Sequence, residues 1–198
     1  MNFWDKIANV YDIAEAFNGK VYGKMTRLAA KLTPEGASVL DCAAGTGELS
    51  FAAAKKAKSV ICTDYSRKML DRAEKKAAAK GIKNITFEER DIFSLRDKDE
   101  SFDTVIAGNV LHLLPNPEKA VKELYRVTKK GGRLLLPTFV TGEKRLLSIK
   151  LYRLIGFKPE REYTADEYIK MLKSCKVGRI KGKLIDGKIP CCFAVIYK

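Results

Sequence analysis

Residues 39–49, Val-Leu-Asp-Cys-Ala-Ala-Gly-Thr-Gly-Glu-Leu, constrain the fold more than any other stretch of the chain. A short apolar run ends in an acid, a turn of small residues follows, and a helical pattern begins. This is the strand–turn–helix unit that opens a nucleotide-binding α/β fold. Gly45 and Gly47 carry no Cβ, so the turn can be sharp and a ligand can approach the main chain closely. The N–H groups that open the following helix point to the same place.

The dinucleotide fingerprint needs three glycines, and here Ser50 stands at the third position. Asp41, at the end of the apolar run, is more telling. A carboxylate beside a phosphate-binding turn would repel a pyrophosphate, whereas it suits a ligand bearing an ammonium or another positive charge. S-adenosylmethionine carries an ammonium and a sulfonium and has no phosphate.

The rest of the chain alternates strand and helix patterns. Residues 3–12 and 20–32 have helical apolar spacing, separated by Asn18-Gly19. Strands are expected at 38–42, 59–63, 84–89, 102–107 and 133–138. Helices are expected at 48–56 and 67–80, and from Asn116-Pro117 to a stop at Lys129-Lys130-Gly131-Gly132. Five such alternations argue a parallel, doubly wound sheet. Asp64 ends the second strand, 17 positions after Gly47, where an acid can accept hydrogen bonds from ribose hydroxyls. Its other reading is a cap for the next helix, a role Ser66 can share. His112 is the one histidine, in the segment crossing the C-terminal edge of the sheet. It is either a base for the acceptor or a supporting hydrogen-bonding residue, and the second reading is preferred. Residues 145–155 are apolar at helical spacing, and Thr164-Ala165-Asp166-Glu167 is a capping box. Strands at 177–185 and 188–197 meet at Asp186-Gly187, a hairpin signal.

Residues 39–47 resemble the first motif of class I S-adenosylmethionine-dependent methyltransferases, with Ala43 in place of the motif's first glycine. That replacement is common in the branch that includes the quinone-biosynthesis C-methyltransferases. The resemblance continues through Asp64, Asp91, Asn109 and Gly131-Gly132, over roughly the first 140 residues. It implies a Rossmann-like, seven-stranded, mostly parallel sheet with a C-terminal antiparallel hairpin and an N-terminal helical cap. It also implies one domain over 1–198: a cap at 1–33, a cofactor-binding core at 34–140, and acceptor-side helices with the hairpin at 141–198. The implied cofactor residues are Tyr11, Asp41, Ala43, Gly45, Gly47, Asp64, Tyr65, Met69, Asp91, Ile92 and Asn109. By this resemblance Tyr11 borders the methionine part and is a candidate, with His112, for a catalytic role. Met69 lies against the adenine, Asp91 takes the adenine amino group, the Ile92 main chain meets a ring nitrogen, and Asn109 sits near the transferable methyl group. Tyr11 and Met69 also read as ordinary packing residues at helical spacing.

No nucleophile, triad, P-loop or metal-ligand spacing appears, and no metal is expected. Methyl transfer from a sulfonium needs mainly alignment of acceptor and methyl group. The five cysteines form no CxxC pair and suit a reducing cytoplasm. No apolar run approaches a membrane span. The formal charge is +14, from 38 Lys and Arg against 24 Asp and Glu, with lysines scattered over helix backs and loops. A solvated face is the plainer reading of that charge. The expected partner is a small-molecule methyl acceptor, and the protein a monomer or homodimer. A nucleic-acid acceptor is a second reading, not favoured, which requires lysines gathered on one face beside the pocket. A non-catalytic cofactor-binding module is the third.

Overall fold

The computed structural model describes residues 17–141 and 160–198. Seven strands form one sheet: β1 (Ser38–Cys42), β2 (Ser59–Asp64), β3 (Ile85–Glu89), β4 (Phe102–Ile106), β5 (Thr128–Phe139), β6 (Arg179–Ile185) and β7 (Cys191–Tyr197). Their order is β3-β2-β1-β4-β5-β7-β6. β1 pairs in parallel with β2 and β4, β2 with β3, and β4 with β5. β7 runs antiparallel to both its neighbours, β5 and β6. The order reverses between β1 and β4, so the switch point of the sheet lies at the carboxyl end of β1. Open α/β sheets bind their ligands there.

Among the described residues five helices cover the two faces: α1 (Gly19–Leu32), α2 (Glu48–Ala54), α3 (Arg67–Ala79), α4 (Pro117–Val127) and α5 (Ala165–Ser174). α1 turns Val21, Met25 and Ala29 inward, onto Leu49 and Ala53 of α2 and onto Leu135, Phe193 and Val195 of the sheet. The small residues Ala52, Ala53 and Ala54 let α2 lie close to the sheet and to α1. α3 adds Leu70, Ala73 and Ala77 against Phe51 and Cys62 on the same side. On the opposite side α4 and α5 bury Val121, Leu124, Tyr168 and Leu172 against Leu40, Val105, Leu134 and Leu136. Thr164 and Glu167 form the expected capping box at the start of α5.

Two expected boundaries are corrected. The pair Gly131-Gly132 does not stop α4, which ends at Val127. Residues 128–132 belong to β5, where Phe102 pairs with Thr128 and Thr104 with Arg133 across a bulge. Gly131 has φ +75° there and donates to Lys198 O at 2.8 Å, so the glycine serves a strand irregularity and not a helix end. The second correction is the terminal hairpin, which closes with residues 186–190 and not with a two-residue Asp-Gly turn. α1 holds that loop: Asn18 Nδ2 donates to Ile189 O at 2.8 Å, and Gly187 lies against the Val21 side chain with no room for a Cβ. The expected helices at 3–12 and 145–155 lie outside the described residues.

Candidate functional site

The turn after β1 uses three left-handed positions, Ala43 (φ +52°), Gly45 (φ +56°) and Gly47 (φ +90°). For Ala43 that region costs about 1–2 kcal/mol, strain of the kind held at ligand sites. The turn is stitched to β2, since Ala44 N donates to Thr63 O at 2.9 Å and Gly45 N to the Asp64 carboxylate at 2.8 Å. Gly47 is required twice: by its φ, and because a Cβ would stand 2.7 Å from the Phe51 ring.

Asp41 sits on the face of β1 that α2 covers, and it is wholly buried. Ser50 donates its hydroxyl to Oδ2 at 2.6 Å, while Oδ1 has no hydrogen-bond partner. Burial pushes the carboxyl up to about 7, and nearby Asp64 adds to that rise against the pull of the Ser50 hydroxyl. The acid expected at the lip of the strand is thus an interior group with one oxygen unmet. Asp64 is nearly buried and differs in its partners: its two oxygens accept main-chain N–H groups, from Gly45 at 2.8 Å and Ser66 at 2.9 Å. Ser66 caps α3 by accepting from Met69 N at 3.3 Å. Met69 is buried, and Tyr65, between the acid and the cap, is 65% exposed.

Past β3, Asp91 is exposed and accepts from Phe93 N at 2.8 Å, which holds the turn that carries the buried Ile92. Past β4, Asn109 has φ +54°, donates its N–H to Pro137 O at 2.7 Å and accepts from Phe139 N at 3.1 Å. It therefore ties the exit of β4 to the end of β5. His112 lies in a short 3-10 turn, Leu111–Leu113, 7% exposed. Burial pushes its imidazole down to about 4, so it is neutral at neutral pH.

Parallel strand direction brings Asp41, the 43–47 turn, Asp64, Asp91 and Asn109 to one edge of the sheet. Tyr11 lies outside the described residues. Two contributors had little signal in the sequence. Ser50 stood there only as a missing third glycine, though it is the hydroxyl that meets Asp41. Gly108 packs against Leu49 on the first turn of α2, where a Cβ would collide, and nothing in its neighbours announces that contact. Among the described residues no three His, Cys, Asp or Glu side chains gather as a metal site, and no helix is long and apolar enough to cross a membrane.

Residues 34–180 match the family profile of a methyltransferase domain. The chain belongs to that family. Over 106 residues this methyltransferase domain is 39% identical to the ubiquinone/menaquinone biosynthesis C-methyltransferase of Bdellovibrio bacteriovorus, covering 52% of the chain and 45% of that relative. Over 119 residues it is 34% identical to a phosphatidylethanolamine N-methyltransferase of Cereibacter sphaeroides, covering 60% of the chain and 58% of the relative. The chain spans about half the length of the curated relatives it matches. In fold it superposes on an S-adenosylmethionine-dependent methyltransferase from Thermotoga maritima with a TM-score of 0.78 at 20% identity, over 99% of this chain and 98% of the other. The expected class I architecture is therefore the one observed, in strand order and in the reversed β7.

S-adenosylmethionine is the cofactor of this family, and the residues fit it. Asp41 offers a buried, unmet carboxylate oxygen to a cation. Asp41 and Asp64 interact unfavourably as like charges, so the same edge would reject a diphosphate.

Proposed function

We propose that the methyltransferase domain moves a methyl group from S-adenosylmethionine to a small-molecule acceptor. The observation that carries the reading is the unmet Oδ1 of Asp41, buried beside a turn of left-handed residues at the switch point. In this proposal Asp41 holds the cofactor's ammonium through Oδ1, and Ser50 keeps the carboxylate aimed by bonding Oδ2. Ala43, Gly45 and Gly47 let the main chain approach the amino-acid tail. Asp64 accepts from ribose hydroxyls, and Gly45 and Ser66 fix its orientation. Asp91 accepts from the adenine amino group, and Ile92, Met69 and the exposed Tyr65 flank the ring. Asn109 stands on the side of the transferred group, and the family resemblance assigns Tyr11 to the methionine part of the cofactor. The bound sulfonium supplies a methyl group already activated for in-line displacement. The chain's own contribution is alignment and exclusion of water, and no general base is required of it. A neutral, buried His112 supports the secondary role for that residue and not the role of proton acceptor.

The names of the relatives support a small acceptor: one acts in quinone biosynthesis and another on phosphatidylethanolamine. The five free, buried thiols support a reducing, cytoplasmic setting. The test is transfer of a labelled methyl group from S-adenosylmethionine to separated pools of lipids, water-soluble metabolites and RNA. Label in either small-molecule pool is expected. Label confined to RNA would overturn the acceptor class, and failure to bind S-adenosylhomocysteine in calorimetric titration would overturn the site.

A further inference from the structure

Part of the positive charge of this domain is gathered on one face. On α3 and α4 some bases meet acids: Arg67 pairs with Asp71 and Glu74, and Arg126 with Glu123 and Asp99. α1 is different. Its exposed positions Lys20, Lys24, Arg27 and Lys31 follow one another at spacings of four, three and four residues, so they share one face. The helix contains no acid, and none of the four bases forms an ion pair with a described residue. The opposite face is buried in the core through Val21, Met25 and Ala29, which fixes the stripe in place. The edge strand β6 adds Arg179, Lys181 and Lys183 at alternate positions, opposite Tyr197, Val195 and Phe193 on the side of the sheet that α1 covers. Lysines on an edge strand also deter strand addition, but that does not account for the stripe on α1. At the start of α1, Lys188 lies 4.1 Å from the ring of Phe17, which is 41% exposed.

We propose that this face, α1 with β6 and Phe17, docks on the anionic surface of a phospholipid bilayer. The stripe from Lys20 to Lys31 lies lengthwise for about 16 Å, and it matches a diffuse layer of phosphates rather than one phosphate in a pocket. A single-stranded nucleic acid would call for open aromatic platforms on which bases stack. The outward face of α1 has none, and the Tyr197 ring is already covered by Arg179 at 5.0 Å and Lys181 at 6.0 Å. Phe17 beside Lys188 is the aromatic–cation pair that suits a membrane–water interface. Asn18 bonds the 186–190 loop, and Tyr22 meets Phe139 at the carboxyl end of β5, so this end of α1 is at the ligand edge. Docking there brings the rim of the site to a surface in which apolar acceptors dissolve. The inference rests on the basic face and not on the acceptor, so its failure leaves the methyl-transfer reading intact.

The test is flotation of the full chain with vesicles of phosphatidylcholine alone and of phosphatidylcholine mixed with phosphatidylglycerol, at low and raised salt. Binding only to the mixed vesicles, lost on adding salt, is expected. Joint replacement Lys20→Glu, Lys24→Glu, Arg27→Glu and Lys31→Glu is expected to weaken it at least about tenfold while S-adenosylhomocysteine binding persists. If that variant does not fold, Arg179→Glu with Lys181→Glu and Lys183→Glu serves for the same comparison. Equal binding to both vesicles, no binding to the mixed ones, or undiminished binding by a folded variant would overturn the proposal. So would tighter binding of single-stranded RNA through the same four α1 residues.

Discussion

Replacing Asp41 by asparagine separates the stability of this fold from its function. The carboxyl is wholly buried, Ser50 meets one of its oxygens and the other is unmet, and burial raises its pKa from 3.8 to about 7. A carboxyl with a raised folded-state pKa stabilises the fold while protonated. That contribution is complete below pH 4 and is lost as pH climbs towards 7. That rise in pKa corresponds to about 4 kcal/mol against the wild type at alkaline pH. Asparagine has nearly the same shape and cannot ionise. Between pH 5 and pH 8 the stability advantage of Asp41→Asn should therefore grow by about 3 kcal/mol. His112 is shifted by burial alone and is common to both proteins, and the Cys42 and Cys62 thiols, pushed up by burial, stay protonated from pH 5 to pH 8, so neither enters the comparison. Urea unfolding of the two proteins at the two pH values measures the difference, and calorimetric titration with S-adenosylhomocysteine measures the loss of affinity. An advantage that does not change with pH would refute the assignment of a buried, strained carboxylate. Unchanged affinity would refute its role opposite the cofactor's ammonium.

Asp64→Ala removes the acceptor for Gly45 N and Ser66 N and should cost about 1–3 kcal/mol of stability as well as weakening S-adenosylhomocysteine binding, both read from the same two assays. Gly108→Ala drives a Cβ onto Leu49 and should cost about 1–3 kcal/mol in urea unfolding, and Gly47→Ala should cost at least as much because it adds left-handed strain. His112→Gln should leave the pH profile of methyl transfer unchanged near 6.5, since the imidazole is already neutral there; loss of an existing ionisation in that range would assign it a proton-transfer role.

The features legible in the sequence were those with a local physical cause. Glycines at positive φ and apolar runs of strand length foretold the turn, β1, β2 and β4, and Thr164 with Glu167 foretold the start of α5. What misled was chemistry with two structural uses. Lys129-Lys130-Gly131-Gly132 has the composition of a helix end, but pairing of Thr128 with Phe102 draws the segment into β5. Asp186-Gly187 has the composition of a tight turn, but contact with Val21 and Asn18 opens it to a five-residue loop. The partner of Asp41 was hidden for another reason. An acid at a strand end is visible in sequence, whereas the hydroxyl above it arrives only when α2 is laid on the sheet. The stripe on α1 was present at helical spacing in the sequence, and its lack of acids becomes meaningful once the opposite face is seen to be buried.

The two acids at this edge lie on neighbouring strands, yet their partners differ. Asp64 accepts two main-chain N–H groups, from Gly45 and Ser66. Asp41 accepts the Ser50 hydroxyl, is wholly buried and feels Asp64 as a like charge. With a carboxyl near 7, Asp41 holds its proton for most of the time at pH 6 when no cation stands opposite. An ammonium placed against Oδ1 stabilises the carboxylate and should expel that proton. Binding of S-adenosylhomocysteine at pH 6 should then release close to one proton, and at pH 9 almost none from this group. Titration calorimetry in two buffers of different ionisation enthalpy measures the release directly, and Asp41→Asn should abolish it. Identical enthalpies in the two buffers at pH 6 would mean either that Asp41 is ionised beforehand or that the ligand's cation does not reach it, and the buried-acid account of the site would fail.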